Sequence, residues 1–530
     1  MLLLNSIQYR RSHACTCLRG HHDGEKRDRG RSRVHHLTQE SGRSFTYVGR
    51  LFECQPIELR IEVTAMNVQS QIESSGEVSS ERSLVVTLIL CGAAFMAMID
   101  VFIVNVAFRQ IGAEFPEASF GDLSWILNGY TIVYAALLIP FGGLADRWGR
   151  KRAFLAGLTI FTLASVGCAL SGAMWSLILA RVLQAAGAAM LTPSSLGLIL
   201  TVLPAQKRAR AVRTWATTSA ISAAIGPALG GILAEYSWRW IFVINLPIGI
   251  LAGAAAAALI PTIQPVSAST RKLDLFGAML AAVAVGSLSL AVVGYEQSTT
   301  SEIIANYAIA ILAAAWLVRR ILFHQAPIVD PALFKVSTFT WANVTIIVFC
   351  TAFAAIFLSV AIWLQTVAGL SLIETGFAIV PGPVCVPIAA YLVQRFASTA
   401  SPRAVVIVGN VIFAIGALGF AFMASIAPRY SIDIMPAWML VGTGIGIAMP
   451  TMIGSATRDL PASMTATGSA VVNTSRQLGY VLGVALLVAV TGSLSLAPSQ
   501  ALHAFQTSWQ LIALGAALSA LTALGMRRTA

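Results

Sequence analysis

Charged residues are scarce in this chain. Asp, Glu, Lys and Arg make up 11% of it, whereas they make up about 25% of an ordinary soluble domain. Hydrophobic residues account for 57% of the sequence. A single soluble core cannot use so much apolar sequence, because such cores stop growing at roughly 250–300 residues. The composition therefore argues against a soluble enzyme and favours an integral membrane protein.

Several catalytic and metal-binding patterns are missing too. The sequence has no P-loop, so ATP-driven transport is not expected. The apolar segments hold neither a repeated filter sequence nor a cluster of His or Cys, which argues against a channel or a membrane-bound metalloenzyme. Cys15 and Cys17 lie near five of the seven histidines, but no second pair at zinc spacing accompanies them. We therefore predict no metal site, no cofactor and no nucleic-acid partner.

The first 65 residues differ from the rest of the chain. They contain eleven of the 35 Lys and Arg residues and five of the seven His residues. A basic stretch with so few apolar residues cannot bury a core, so residues 1–83 are predicted to be disordered. Met66 is a candidate translation start. In that case residues 1–65 are an artefact of start assignment, and 66–83 form a short polar cytoplasmic tail.

The apolar residues lie in uninterrupted blocks of about 20, the length that a helix needs to cross the bilayer core. Most blocks are apolar on every face, as helices embedded in lipid are. The sequence therefore predicts an all-α integral membrane protein with fourteen transmembrane helices. The predicted spans are 84–106, 123–142, 153–171, 177–201, 211–234, 240–261, 275–295, 304–322, 341–364, 375–394, 404–425, 433–453, 469–493 and 508–526.

The positions of Lys and Arg test this count, because short cytoplasmic loops retain them. With the N-terminus inside, only Arg109, Arg239 and Arg429 fall on the outer side. Eighteen basic residues then fall on the cytoplasmic side: Arg147, Arg150, Lys151, Arg152, Lys207, Arg208, Arg210, Arg213, Arg271, Lys272, Arg319, Arg320, Lys335, Arg395, Arg403, Arg458, Arg527 and Arg528. One span more or fewer would scramble this asymmetry, so both termini are predicted to be cytoplasmic.

The two ends of the membrane region resemble each other. Residues 84–261 and 341–526 each hold six predicted spans, and 275–322 holds two more between them. Span 4 contains Gly187-Ala-Ala-Met190, and span 12 contains Gly446-Ile-Ala-Met449. Repeated halves are typical of rocker-type transporters. The predicted organisation is thus two six-helix halves with two inserted helices.

The loop between spans 2 and 3 carries the most specific motif. It reads Gly142-Gly-Leu-Ala-Asp146-Arg147-Trp-Gly149-Arg150-Lys151-Arg152. This string resembles the signature loop of the major facilitator superfamily. A loop that only fixes topology needs Arg and Lys, but neither Asp146 nor the glycines. Gly149 suits a tight turn. Asp146 can face the positive N-terminal end of a helix from the other half, and span 13 is the candidate partner.

Further strings narrow the resemblance. They are Arg181-Val-Leu-Gln184-Ala-Ala-Gly187, Gly226-Pro227-Ala-Leu-Gly230-Gly231, Trp238-Arg-Trp-Ile-Phe-Val-Ile-Asn245-Leu-Pro-Ile-Gly249 and Asp274-Leu-Phe-Gly277. Together they are similar to the fourteen-span drug:proton antiporter branch of that superfamily, over roughly residues 84–526. Ser222 stands where the span-5 motif normally opens with glycine. The first-span motif usually continues with Leu-Pro, whereas this chain has Phe108-Arg109.

Ionisable side chains inside spans are candidates for coupling to protons. Asp100, Arg181 and Arg476 lie clearly within spans, and each costs on the order of 3 kcal/mol in hydrocarbon. Asp100 and Arg181 share the outer half of the membrane and can pair. A change in their separation would switch Asp100 between binding and releasing a proton, so these two residues are the predicted coupling site. A purely structural ion pair is the alternative.

Other candidates concern the cavity and the conformational change. Asn105, Gln184 and Arg476 are predicted to line the substrate cavity, although Arg476 can alternatively snorkel to the cytoplasmic interface. The predicted gating residues are Asp146, Arg147, Gly149 and Arg150 in the loop, and Gly226, Pro227, Gly230 and Gly231 in span 5. For the span-5 residues, close helix packing alone is the alternative to a bending role.

The resemblance implies an exporter of small lipophilic or cationic compounds such as drugs, with protons as the coupling ion. A proton-coupled symporter for uptake of a small nutrient is the alternative on the same fold. The implied partners are the lipid bilayer, a small-molecule substrate and a periplasmic adaptor protein. Short loops and a pI of about 9.7 favour the cytoplasmic (inner) membrane of a bacterium.

The charge asymmetry generates a topology prediction. Single cysteines at Glu117 and Ser298, introduced in a background without native cysteines, are expected to react with a membrane-impermeant thiol reagent added to intact cells. A cysteine at Arg208 is expected to react only after the membrane is permeabilised. Labelling of position 208 from outside would overturn the predicted orientation.

Overall fold

The computed structural model describes residues 80–262, 274–293, 299–325, 327–397, 399–426, 428–461, 464–492 and 498–526. The predicted disordered segment up to residue 79, Cys15, Cys17 and the candidate start at Met66 lie outside these described residues. So do Arg271, Lys272 and Ser298.

The described chain is built from helices. In chain order they are α1 (Ser80–Glu114), α2 (Phe120–Trp148), α3 (Arg150–Ala169), α4 (Met174–Val202), α5 (Ala205–Tyr236), α6 (Trp240–Leu259, interrupted at Ile244), α7 (Leu275–Val293), α8 (Thr300–Phe323), α9 (Ser337–Thr366), α10 (Leu372–Phe396, interrupted at Val380), α11 (Pro402–Met423), α12 (Met435–Arg458), α13 (Thr465–Thr491) and α14 (Pro498–Thr522). We call α1–α6 the N-terminal half and α9–α14 the C-terminal half.

The all-helical membrane fold predicted from the sequence is confirmed. Within the described residues, 13 helices are long and apolar enough to cross a membrane. Helix α5 is long enough as well, but its apolar part is Ile221–Tyr236. A count of fourteen spans therefore stays a prediction.

Side-chain caps begin several helices at the predicted outer surface. Ser119, Thr299 and Ser371 each accept a hydrogen bond from the backbone N–H three residues later, at the starts of α2, α8 and α10. The acidic residue at that third position bonds back to the backbone of the cap, which completes a capping box. These caps satisfy N–H groups that would otherwise face the apolar edge of the bilayer.

The packing of helices repeats between the two halves. The fifth helix of each half meets the first at two glycines one turn apart: Gly226 and Gly230 of α5 on α1, and Gly479 and Gly483 of α13 on α9. A Cβ atom at Gly230 would lie 2.9 Å from a main-chain oxygen of α1. Small residues are what allow membrane helices to approach so closely. The internal repeat read from the sequence thus corresponds to equivalent contacts.

The two halves join closely at their outer ends. A Cβ at Gly231 of α5 would overlap the carbonyl oxygen of Leu372 at the start of α10, and one at Gly376 would meet the carbonyl oxygen of Pro227. Helix α5 remains continuous through Pro227. In this conformation the span-5 glycines therefore provide a close contact between the halves, and the bending role proposed from the sequence stays a prediction.

Hydrogen bonds reinforce this outer contact. The Arg109 guanidinium donates to the carbonyl oxygen of Gln365 at 2.9 Å, and the Gln365 amide donates to the carbonyl oxygen of Val106 at 2.9 Å. Helix α1 continues past this point to Glu114, because it lacks the proline that usually follows the first-span motif. The local departure from the family pattern is therefore part of the contact with α9.

The inserted helices pack mainly through α7, which contacts α2, α13 and α8. Asn128 of α2 donates to the Ser289 hydroxyl of α7 at 3.2 Å. At the other end of α7, buried Asp274 accepts hydrogen bonds from the backbone of Gly277 and from Arg320 of α8, both at 2.8 Å. The Asp274-Leu-Phe-Gly277 string thus caps α7 and fixes it to α8.

The backbone contact at Gly231 generates a stability prediction. Gly231→Leu is expected to lower the unfolding free energy by about 1–3 kcal/mol, because the added side chain overlaps main-chain atoms that cannot move aside. Gly286→Leu in α7 is the matched control, since no atom lies within 4 Å of a Cβ at that position. Thermal unfolding of the purified protein in detergent measures both. Equal midpoints for the two variants would show that α5 and α10 do not depend on this contact.

Candidate functional site

Asp100 of α1 and Arg181 of α4 form a salt bridge inside the N-terminal half. The two side chains are 0% and 1% exposed. The helices run in opposite directions, so residues in the outer part of each reach the same depth. The pairing expected from the sequence is therefore present in the structure.

Two side-chain amides complete the surroundings of Asp100. The other carboxylate oxygen accepts hydrogen bonds from Gln184 of α4 at 2.9 Å and from Asn245 of α6 at 3.1 Å. Both amides also donate to the hydroxyl of Ser165 on α3, at 2.9 and 3.3 Å. Four helices thus contribute to one network, and all of its members are buried.

Arg181 is held by several further contacts. It donates to the Gln184 side-chain oxygen at 2.7 Å and to the Ile126 carbonyl oxygen at 3.3 Å. Its guanidinium lies over the Tyr130 ring, 4.3 Å from the ring centre, at cation–π distance. One terminal nitrogen, Nη2, has no partner. The arginine is therefore fixed from α1, α2 and α4, with one donor left over.

The network suits a charged carboxylate in this conformation. Every group that bonds to Asp100 is an N–H donor, which requires an acceptor oxygen. A proton on Asp100 would have to displace one of these donors. Because the carboxyl group is sealed from solvent, protons reach it only when the helices that surround it separate.

Sequence reasoning missed three members of this network, Asn245, Ser165 and Tyr130. Asn245 belongs to the string that resembles the antiporters, but its side chain had no predicted role. Ser165 and Tyr130 are neutral and common in apolar helices, so nothing in the sequence marked them. A buried amide without an obvious partner was the one available signal, because such groups need hydrogen bonds in lipid.

Gln184 and Asn105 were predicted to line the cavity; Gln184 is buried in the network, and for the part-exposed Asn105 the cavity role stays a prediction. Gln184 is fully buried in the network, because it lies one turn from Arg181 on the same face of α4. The Asn105 amide donates to the Val101 carbonyl oxygen of its own helix at 2.8 Å. Neither residue is joined to Arg476.

The signature loop between α2 and α3 has a different partner from the one we expected. Asp146 forms a salt bridge with Arg150 at 3.0 Å, and its side chain is 57% exposed. Arg150 also donates to the carbonyl oxygen of Gly197 on α4 at 2.7 Å. In the described residues no hydrogen bond or salt bridge joins Asp146 to α13. The loop in this conformation therefore ties α2 to α3 and α4 within one half.

Gly149 joins α2 and α3 as the sequence indicated. Its φ angle is 99°, in the region that favours glycine, and its N–H donates to Ala145 at 3.1 Å. The turn places Arg150 four residues after Asp146, within reach of its carboxylate. Arg147 is part-exposed beside this turn.

Arg476 lies on α13. One terminal nitrogen donates to the Tyr480 hydroxyl at 3.2 Å, one turn farther from the cytoplasmic end, and the other donates to Asn473 at 3.4 Å. The side chain remains part-exposed. Both its predicted place in the cavity and the snorkelling alternative stay predictions.

A family profile described as Major Facilitator Superfamily matches residues 90–484. This chain belongs to the major facilitator superfamily. It is a multi-pass membrane transporter rather than an enzyme.

Relatives and solved structures agree with this assignment. The chain is 31% identical to multidrug resistance protein Stp of Mycobacterium tuberculosis, over 77% of this chain and 76% of Stp. It is 30% identical to the cephamycin export protein CmcT of Amycolatopsis lactamdurans, over 79% of this chain and 87% of CmcT. A bacterial homologue of the human lysosomal transporter Spinster, in an inward-facing and unoccupied conformation, shares the fold with a TM-score of 0.63 at 15% identity, covering 85% of this chain and 98% of that one.

The loop geometry generates a prediction about transport rate. Asp146→Asn is expected to slow transport while the unfolding free energy changes by less than about 1 kcal/mol, because an exposed ion pair contributes little stability. The slower rate follows from the loss of the charge that orients Arg150 toward α4. Dye efflux from cells, normalised to protein level, measures this rate. A full transport rate would show that the loop serves only as a topological anchor.

Proposed function

We propose that this protein is a proton-coupled antiporter that exports small lipophilic compounds such as drugs across the cytoplasmic membrane of a bacterium, with both termini in the cytoplasm. The names of its bacterial relatives, a multidrug resistance protein and a cephamycin exporter, support export over nutrient uptake. The absence of a P-loop from the sequence supports a gradient as the energy source.

The observation that carries the proton coupling is the sealed network around Asp100. A proton-driven exporter needs a group that takes a proton on one side of the membrane and releases it on the other. Asp100 is a membrane-embedded carboxylate whose charge is balanced by one cation, Arg181. Its other partners, Gln184 and Asn245, come from different helices. Any movement between α1, α4 and α6 therefore changes the environment of the carboxylate.

The proposed cycle follows from this arrangement. When α1 and α4 separate toward the outside, Asp100 loses Arg181, and an isolated buried carboxylate is expected to take up a proton because the ion is too costly to desolvate. As the network re-forms, Arg181 and the two amides again require an acceptor oxygen, so the proton leaves toward the cytoplasm before the helices seal the carboxyl group. Exchange requires that the exported compound leave on the opposite half-cycle.

The resemblance implies cationic substrates, but the network around Asp100 offers no free negative charge to bind them. Asp100 is fully buried and already neutralised by Arg181, so a substrate cation has no free carboxylate to contact there. We therefore assign substrate recognition to the apolar surface between the halves and proton binding to Asp100.

The decisive prediction concerns Asp100. Asp100→Asn is expected to abolish efflux driven by a pH gradient in proteoliposomes, because an amide cannot carry the proton. Binding of the neutral dye N-phenylnaphthylamine is expected to stay within about threefold of the parent, since less than roughly 0.7 kcal/mol of contact energy should change. The binding measurement also shows that the variant is folded.

Glu114→Gln is the matched control for this experiment. Glu114 pairs with Arg239 at the outer surface, at 2.6 Å, and its side chain is 41% exposed. The same acid-to-amide change there removes a salt bridge without touching the buried network, so gradient-driven efflux should persist. If the Asp100→Asn protein pumps as well as the parent, the proton coupling lies elsewhere.

A further inference from the structure

Arg476 differs from Arg181 and Arg320, two other arginines of the described helices, in the charge around it. Arg181 is paired with Asp100, and Arg320 with Asp274. In the described part of the chain, no salt bridge involves Arg476. Its two acceptors, Asn473 and Tyr480, are neutral, and its Nε atom is buried without a partner. The guanidinium is thus a cation deep in the membrane without a counter-ion.

The depth of Arg476 makes this charge costly. It lies about 10 Å along α13 from residue 469, where the predicted span begins, at 1.5 Å per residue, and thus inside a bilayer core about 30 Å thick. A lone arginine at that depth costs on the order of 3 kcal/mol or more. Guanidinium carries five N–H donors in a fork that matches an acidic group. Several of those donors are unused here.

Arg476 also lies on a helix that contacts the opposite half of the transporter. Helix α13 packs against α2 of the N-terminal half. The neighbouring Thr474 makes a long hydrogen bond, 3.5 Å, to the Ala135 carbonyl oxygen of α2. The part-exposed guanidinium therefore belongs to one of the two helices, α2 and α13, that pack together between the two halves. In transporters built from repeated halves, substrates bind at that interface near the membrane midplane.

An aromatic surface extends from Arg476 toward the outer side. Tyr480 lies 5.7 Å from Phe353, Phe353 lies 5.9 Å from Phe357, and Phe357 lies 5.4 Å from Phe102 of α1, measured between ring centres. These rings come from α13, α9 and α1, so both halves contribute. A compound with an apolar body and one acidic group would match this arrangement of rings and charge.

We propose that Arg476, with Tyr480 and Asn473, is the anion-binding part of the substrate site, and that the exported compounds carry a carboxylate, sulfonate or similar acidic group on an apolar body. This inference rests on the proposed function as an exporter and defines its substrate class. The substrate supplies the missing counter-ion, and lipophilic cations are repelled by the same charge.

A pair of matched dyes tests the proposal. Anilinonaphthalene sulfonate and N-phenylnaphthylamine share one ring system and differ in the sulfonate. Their affinities are measured for the purified full chain in lipid nanodiscs, without a pH gradient. The parent is expected to bind the sulfonate more tightly than the neutral dye. Arg476→Gln is expected to weaken sulfonate binding by about tenfold or more, the effect of losing a charge-assisted hydrogen bond, and to leave the neutral dye within about threefold.

Two further variants keep the test decisive. Arg476→Lys retains the charge without the fork, so its loss of sulfonate affinity should lie between those of the parent and Arg476→Gln. Arg429→Gln is the matched control, because Arg429 is 74% exposed and lies outside the membrane interior. It should change neither affinity.

The outcomes separate this inference from the proton coupling. A parent that does not prefer the sulfonate, an equal loss for both dyes in Arg476→Gln, or no loss for either dye would overturn the anion site. None of these results depends on Asp100, because no gradient is applied. Conversely, an Asp100→Asn protein that pumps normally would refute the coupling mechanism and leave the binding result intact.

Discussion

The free-energy cost of placing a charge in hydrocarbon determines how the helices of the N-terminal half are joined. A carboxylate and a guanidinium that are buried separately each cost several kcal/mol. Asp100 and Arg181 avoid most of that cost by pairing. The pair still leaves lone pairs and donors to satisfy, which is why Gln184 and Asn245 reach the same point from α4 and α6. The positions of these helices therefore depend on one another through a single carboxylate.

Helix α2 connects the Asp100–Arg181 pair to α13, the helix that carries Arg476. Tyr130 lies under Arg181, and its ring stacks on that of Tyr134, 6.1 Å away and only 7° from parallel. Helix α2 also packs against α13, which carries Arg476. A shift of α2 would therefore alter the surroundings of the Asp100–Arg181 pair and of α13 at once.

Much of the fold could be predicted because the bilayer fixes the length of apolar segments. Helix α3 was expected at 153–171 and is Arg150–Ala169, and α9 was expected at 341–364 and is Ser337–Thr366. The helices extend beyond the predicted spans mainly because polar turns at the interface continue the hydrogen-bonding pattern. Depth could also be predicted, since counting residues along antiparallel helices placed Asp100 and Arg181 at one level.

The partners of polar groups could be predicted less well, because they depend on how the helices rotate and pack. The sequence shows that Asn245 needs a hydrogen-bond partner, but only the packing of α6 against α1 reveals that this partner is Asp100. Asp146 was assigned to a helix of the other half, but the turn at Gly149 brings Arg150 within 3.0 Å first. In this conformation Asp146 therefore pairs with the nearby Arg150 rather than with a helix of the other half.

The contact between the outer ends of α1 and α9 includes residues that depart from the family's first-span motif. A proline after the first-span motif would remove a backbone donor and tend to end the helix. Here α1 continues, so Arg109 reaches α9 and Glu114 reaches Arg239. A hydrogen bond from a charged group contributes about 1.5–3 kcal/mol and a neutral one about 0.5–1.5. Reversing a 99:1 preference between two states takes about 5.5 kcal/mol. The bonds that join Arg109 and Val106 to Gln365 therefore favour closure of the outer ends by less than that amount.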